Sequence, residues 1–116
     1  MSTERDPSTD QPPPVPAPAD VDGAHVAAMR SINARRARFE PAPAITAAVD
    51  LLAERYRLGL TKYGTVLHAG NGRDHRRDLL EELADAVAYA HALGDEGLIK
   101  LTELTLLVAL TPTEER

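Results

Sequence analysis

Apolar residues recur at helical spacing through most of the chain beyond residue 21. Val26, Met29 and Ile32 step by three residues, the face of a helix predicted from an Asp22 cap to about Phe39. Pro41 and Pro43 close that helix and let the next begin, because proline is tolerated in a first turn. From about Ala44 to Leu60, Ile45, Val49, Leu52 and Tyr56 step by four, three and four residues, one stripe of an amphipathic helix. Residues 61–73, TKYGTVLHAGNGR, hold three glycines and an asparagine and read as a loop. Asp74 then stands as the N-cap of a helix to about Leu93, with Gly94 placed to stop it. Asp95 caps a last helix, Gly97 to Leu110, with Pro112 beyond. Leu98, Ile99, Leu101, Leu104, Leu106, Leu107, Val108 and Leu110 leave that helix apolar on most of its circumference. Such a helix is buried on more than one side, and in so small a domain an oligomer interface is the simplest cover. The pattern contains no strand and no internal repeat, so the fold class is all-α.

Composition sets the boundaries of this domain. Six of the nine prolines fall between Pro7 and Pro18, in a stretch with almost nothing to build a core. Residues 1–21 therefore read as a disordered Pro-rich tail and residues 22–116 as one helical domain. The tail serves as a solubilising spacer or as a PxxP-type ligand. No cysteine is present among the 116 residues, which excludes disulfides, thiolate metal sites and cysteine nucleophiles. No apolar run approaches the ~18 residues of a membrane span, and the N-terminus lacks a signal-peptide core, so no membrane partner and a cytoplasmic location are expected. The net charge is −5, and Glu4, Asp6, Asp10 and Asp20 against Arg5 place −3 of it in the tail. An acidic chain with three tyrosines and one phenylalanine is poorly suited to duplex nucleic acid or to stacking on single strands. Basic residues do cluster at Arg30/Arg35/Arg36/Arg38 and Arg73/Arg76/Arg77, which leaves local recognition of a phosphate-bearing small molecule open.

The chemistry-bearing residues are carboxylates. At ~100° per residue, Leu79, Leu80, Val87 and Ala90 fall within about 60° of Leu83 and mark the core face of the third helix. Asp78, Glu82, Asp85 and Tyr89 share a stripe between roughly 200° and 260°, with Glu81 just outside it. On the preceding helix Asp50 and Glu54 are four residues apart on one face. With the two helices antiparallel, both pairs would face one space. Clustered carboxylate oxygens suit Mg²⁺ or Mn²⁺, whose remaining positions are filled by water and substrate phosphate. The plainer reading is that these acids solvate an outer face or pair with Arg76 and Arg77.

The run EELADAVAYAHAL, Glu81 to Leu93, resembles the second metal-binding helix of the MazG-like, all-α nucleotide pyrophosphohydrolases. That superfamily's ExxD motif maps onto Glu82 and Asp85, and the segment RYRLGLTKYGTVLHAGNGRD with EELADAVAY looks like small members encoded by phages and mobile elements. The resemblance covers residues 44–94. It implies a four-helix all-α bundle, usually a homodimer or larger homo-oligomer. It also implies Mg²⁺-dependent hydrolysis of a nucleoside triphosphate, ribo or deoxyribo, to monophosphate and pyrophosphate, with Glu54, Glu82 and Asp85 as catalytic metal ligands and Asp50 sharing the metal. The family's first metal helix commonly carries ExxE; here Leu51 lies three residues before Glu54, and Asp50 lies four before it.

The connecting loop offers the remaining candidates. Lys62 and Arg73 are the cations for phosphate oxygens, Arg73 through a bidentate fork. Tyr63 is placed to stack on a base and Asn71 to read a base edge, while Gly70 and Gly72 permit close backbone approach. A simple connector with Tyr63 plugging the core fits the same residues, and GNG is not a phosphate-loop motif. His25, His68, His75 and His91 are scattered, with His91 best read as a boundary residue. Three functions follow: the pyrophosphohydrolase; a non-catalytic module that sequesters a nucleotide, motivated by the missing glutamate and the arginines Arg35, Arg36, Arg38 and Arg73; and a helical adaptor that recruits protein partners.

Overall fold

A computed structural model describes residues 11–37 and 42–115. Tail residues 1–10, Arg38, Phe39, Pro41 and the Arg36 side chain lie outside the described residues. Among the described residues the chain is all-α with four helices, α1 (Ala24–Asn33), α2 (Ala42–Tyr63), α3 (His75–Leu93) and α4 (Glu96–Leu110), plus 3₁₀ turns at Ala34–Ala37 and Thr113–Glu115. No strand occurs among the described residues. Two compact units divide it: Pro12–Arg73, with α1 and α2, and Asp74–Arg116 together with Gln11, with α3 and α4.

In the first unit α1 packs along α2. Ile45 is buried, and Val49, Leu52 and Tyr56 follow it half-buried, so the four-three-four spacing does mark the packed stripe. Val26, Met29 and Ile32 are the half-buried counterpart on α1. Asp22 does not cap α1. The capping position is Gly23, with no side-chain hydrogen bond, and Asp22 instead pairs with Arg30 at 2.9 Å. The cause is a close crossing of the chain: the Ala24 N–H donates to the Leu67 carbonyl at 2.6 Å, and a Cβ on Gly23 would lie 2.7 Å from the Val66 Cβ. Gly23 passes this point at φ 93°, a conformation that side-chain-bearing residues rarely adopt. At its other end α1 stops at Asn33 and gives way to the 3₁₀ turn.

The His25 ring lies tilted against Tyr56, with centroids 6.3 Å apart. Desolvation by its neighbours, with the nearby Arg55 charge, holds the imidazole pKa below its ordinary 6.5. Protonation therefore opposes folding. The stability due to neutral His25 is complete above pH about 6.5 and declines as pH falls toward and through the lower folded value. A His25→Gln variant is expected to show a flatter dependence of melting temperature on pH between about 5 and 7 than the parent. Parallel curves for the two proteins would refute this assignment.

α2 continues to Tyr63, three residues past the expected end, so Lys62 and Tyr63 occupy its last turn and not the following loop. The helix stops only at Gly64, whose N–H still donates to the Leu60 carbonyl at 2.8 Å. Thr61 stays helical with its hydroxyl bonded to the Arg57 carbonyl at 3.1 Å.

The second unit is a helical hairpin whose ends follow the capping residues. The Asp74 side chain accepts the Arg77 N–H, and the Asp95 side chain accepts the Leu98 N–H, both at 3.0 Å. Gly94 is left-handed at φ 76° and donates to the carbonyls of Ala90 and His91, which ends α3 and reverses the chain. Ala90 is buried, and Leu80, Leu83 and Val87 are half-buried. Leu79 departs from the expected core face and is 53% exposed. His91 Nε2 meets Glu103 Oε2 at 2.9 Å, and an Arg76 Nη2 group donates to the Ala109 carbonyl at 2.6 Å, so polar contacts tie α3 to α4 at both ends. Leu80 and Ala84 of α3 with Leu106 and Leu110 of α4 line an open groove of about 510 Å³. Much of the remaining α4 apolar surface faces outward: Leu101, Leu104 and Leu107 are each about 60% exposed. Among the described residues no helix is long and apolar enough to cross a membrane.

Candidate functional site

The acidic pairs lie on regular helix, which fixes their spacing. Asp50 and Glu54 sit one turn apart on α2, both exposed, and Leu51, at the position three before Glu54, is 59% exposed. Glu82 and Asp85 sit one turn apart on α3, also exposed, with Tyr89 on the same stripe 74% exposed. Their neighbours are engaged: Asp78 accepts from Gln11 Nε2 at 2.8 Å and Glu81 from Arg77 Nε at 2.9 Å. Among the described residues, Asp50, Glu54, Glu82 and Asp85 have no hydrogen-bond or ion-pair partner. Like charges one helical turn apart repel by a few tenths of a kcal/mol, which a bound cation would relieve. Within each unit the pair supplies two hard oxygen donors. In neither unit do three or more described His, Asp or Glu side chains gather into a metal-binding group.

Lys62 and Tyr63 are exposed at the C-terminal end of α2, with the Lys62 ammonium 5.1 Å from the Tyr63 ring centre. Tyr63 is 40% exposed, so it does not plug the core. Asn71, expected to read a base edge, is 1% exposed, and its Oδ1 accepts the Arg73 N–H at 3.0 Å. Its amide oxygen is thus engaged in shaping the loop. Its Nδ2 is buried with no hydrogen-bond partner among the described residues. Of the two loop glycines, Gly72 takes a positive φ and Gly70 does not.

The sequence reading missed what lies across this loop. Residues 12–18, assigned to the tail, run as an ordered strap. The Val15 N–H donates to the Asn71 carbonyl at 2.8 Å, and the Ala17 N–H to Thr65 Oγ1 at 2.9 Å. In return His68 Nε2 donates to the Val15 carbonyl at 2.8 Å, which fixes the ring's tautomer, and Arg73 Nη1 donates to the Pro12 carbonyl at 3.2 Å. His68, passed over in the sequence, is buried beneath this contact. In the second unit Gln11 bonds both the Asp74 N–H, at 2.6 Å, and Asp78. Between Pro12 and Pro18 only Val15 and Ala17 carry an N–H, and both find acceptors on the loop.

Comparison with protein-family models, curated proteins and solved structures finds no significant match to this chain.

Proposed function

We propose that the protein is a Mg²⁺-dependent nucleotide pyrophosphohydrolase, acting on a nucleoside triphosphate to release monophosphate and pyrophosphate. The observation that carries the reading is the pair Glu82 and Asp85: exposed, one turn apart, and without partners while the acids beside them on α3 are bound. Two unengaged carboxylates at this spacing fit a hard divalent cation that keeps most of its waters. Asp50 and Glu54 fit the same description on α2. When bound, Mg²⁺ or Mn²⁺ would neutralise the polyphosphate and lower the pKa of a coordinated water. The chain's own groups supply the rest. Glu82 and Asp85 on α3, and Glu54 with Asp50 on α2, are the carboxylates that would hold a cation; Lys62 and Arg73 would take phosphate oxygens, and Tyr63, exposed beside Lys62, would offer a ring face to the base. Water adds to the α-phosphorus, the bond to the bridging oxygen of the β-phosphate breaks, and pyrophosphate leaves. The test is pyrophosphate release from nucleoside triphosphates with Mg²⁺ and with EDTA. No release from folded protein would contradict the reading.

A second reading rests on Leu51. With an exposed leucine three residues before Glu54 and the nearest acid one position further back, the protein is a nucleotide-sequestering module that binds without turnover.

We also propose that the protein is a homodimer or larger homo-oligomer through the outward leucines of α4, since exposed apolar surface of this kind marks an interaction site. A Leu104→Glu substitution would place a charge in that interface and shift the protein to monomer in sedimentation equilibrium. An unchanged mass for the parent and the variant would remove α4 from the interface.

A further inference from the structure

We infer that the loop Thr65–Arg73 is an oxyanion seat, and that the proline-rich strap Pro12–Pro18 occupies it in the absence of ligand. Within six residues the loop presents three donors: His68 Nε2–H, the Asn71 side-chain amide and the Arg73 guanidinium. Two of them are met by strap carbonyls, those of Val15 at 2.8 Å and Pro12 at 3.2 Å. The third, Asn71 Nδ2, is buried at 1% exposure with no hydrogen-bond partner among the described residues. A buried donor without an acceptor costs about 1–3 kcal/mol, and native proteins tolerate few of them. The strap is therefore an imperfect occupant: it leaves the buried Asn71 amide without an acceptor. Phosphate oxygens carry charge, accept several bonds each and can pair bidentately with a guanidinium, which a single backbone carbonyl cannot. The strap's hold is correspondingly light. Five of its seven residues are prolines without an N–H, so only Val15 and Ala17 donate to the loop. A polyphosphate is the ligand class that fits, because the two carbonyls it replaces belong to residues three apart and one phosphate would not span them. The inference rests on the proposed function only for Arg73 as a phosphate ligand; the carboxylates play no part in it.

The experiment uses the full chain with inorganic tripolyphosphate as probe, at constant ionic strength. Amide hydrogen exchange of Val15 and Ala17 reports the strap, and the ring resonances of His68 report the seat. Saturating tripolyphosphate is expected to abolish protection at both amides and to shift His68. A Val15→Pro/Ala17→Pro double variant, which removes both strap donors, is expected to bind tripolyphosphate about tenfold more tightly than the parent. Tripolyphosphate bound with Val15 and Ala17 still protected would overturn the gate, as would equal affinities for a folded double variant. Absence of binding to the parent and the double variant would overturn the seat. Should the double variant not fold, exchange in the parent decides alone. Pyrophosphate release is scored separately: turnover with the strap still protected overturns this inference and spares the enzyme. Strap release without turnover does the reverse.

Discussion

Replacing Glu82 or Asp85 with alanine is expected to lower pyrophosphate release by on the order of 100-fold or more, with helix content and melting temperature unchanged. Both parts follow from the same placement. Each side chain is exposed on the outer stripe of α3 and has no partner among the described residues, so truncation removes no packing and no hydrogen bond. Surface substitutions of this kind change stability by about 0.5 kcal/mol or less. Loss of a carboxylate that holds the catalytic cation removes several kcal/mol of transition-state stabilisation, and about 2.7 kcal/mol is already 100-fold in rate. The paired readout is thermal unfolding by circular dichroism beside initial rates of pyrophosphate release. Full activity in both variants would withdraw these two residues from the site. Glu81→Ala is the matched control: its partner is Arg77 on the same helix, and its loss is expected to leave the rate within about twofold.

The largest effect on stability is expected at Gly23. An alanine there would set its Cβ 2.7 Å from Val66 Cβ and 3.0 Å from the Leu67 carbonyl oxygen, at a φ of 93°. Overpacking of this order costs about 1–3 kcal/mol, and the positive φ with extended ψ, a region essentially confined to glycine, adds about 1 kcal/mol or more for a side-chain-bearing residue. Together they predict a loss of about 2–4 kcal/mol, or roughly 10 °C or more in melting temperature for a domain of this size. The crossing also carries the bond from Ala24 N–H to the Leu67 carbonyl, so exchange of the Ala24 amide should accelerate in the variant. An unchanged melting temperature would mean that Gly23 and Val66 do not meet in solution.

The two units differ in how far their structure is written locally in the sequence. In α3 and α4 the two starts and the α3 end are each set by one residue acting on the adjacent backbone. Asp74, Gly94 and Asp95 do so wherever they occur, and the sequence reading places those ends within a residue. The Ile45–Tyr56 stripe was legible for a similar reason, since a single helix bears the period of its partner's groove. Asp22 misled because a capping residue is overruled when the chain is pinned elsewhere, here by Gly23 against Val66. The strap was illegible for a deeper reason. Composition reports how much apolar surface a segment can bury, and residues 12–18 bury little; it does not report whether a distant loop supplies acceptors for two particular N–H groups. His68 and Asn71 were undervalued in the same way, because their burial depends on that strap. For the candidate site, the helix period alone placed Glu82, Asp85 and Tyr89 on one exposed stripe. Which of the acids on α3 would remain unpartnered depended on Gln11 and Arg77, and so on tertiary contact in one case and side-chain choice in the other.

The central claim concerns which anhydride linkage of the triphosphate is cleaved, α–β or β–γ, and phosphorus-31 magnetic resonance of a single reaction mixture tests it directly. The full chain is incubated with Mg²⁺ and each ribo- and deoxyribonucleoside triphosphate in turn, with an EDTA control. Equal amounts of pyrophosphate and nucleoside monophosphate, formed only with metal, are the predicted products. Orthophosphate with nucleoside diphosphate, or unchanged triphosphate throughout the panel in folded protein, would contradict it.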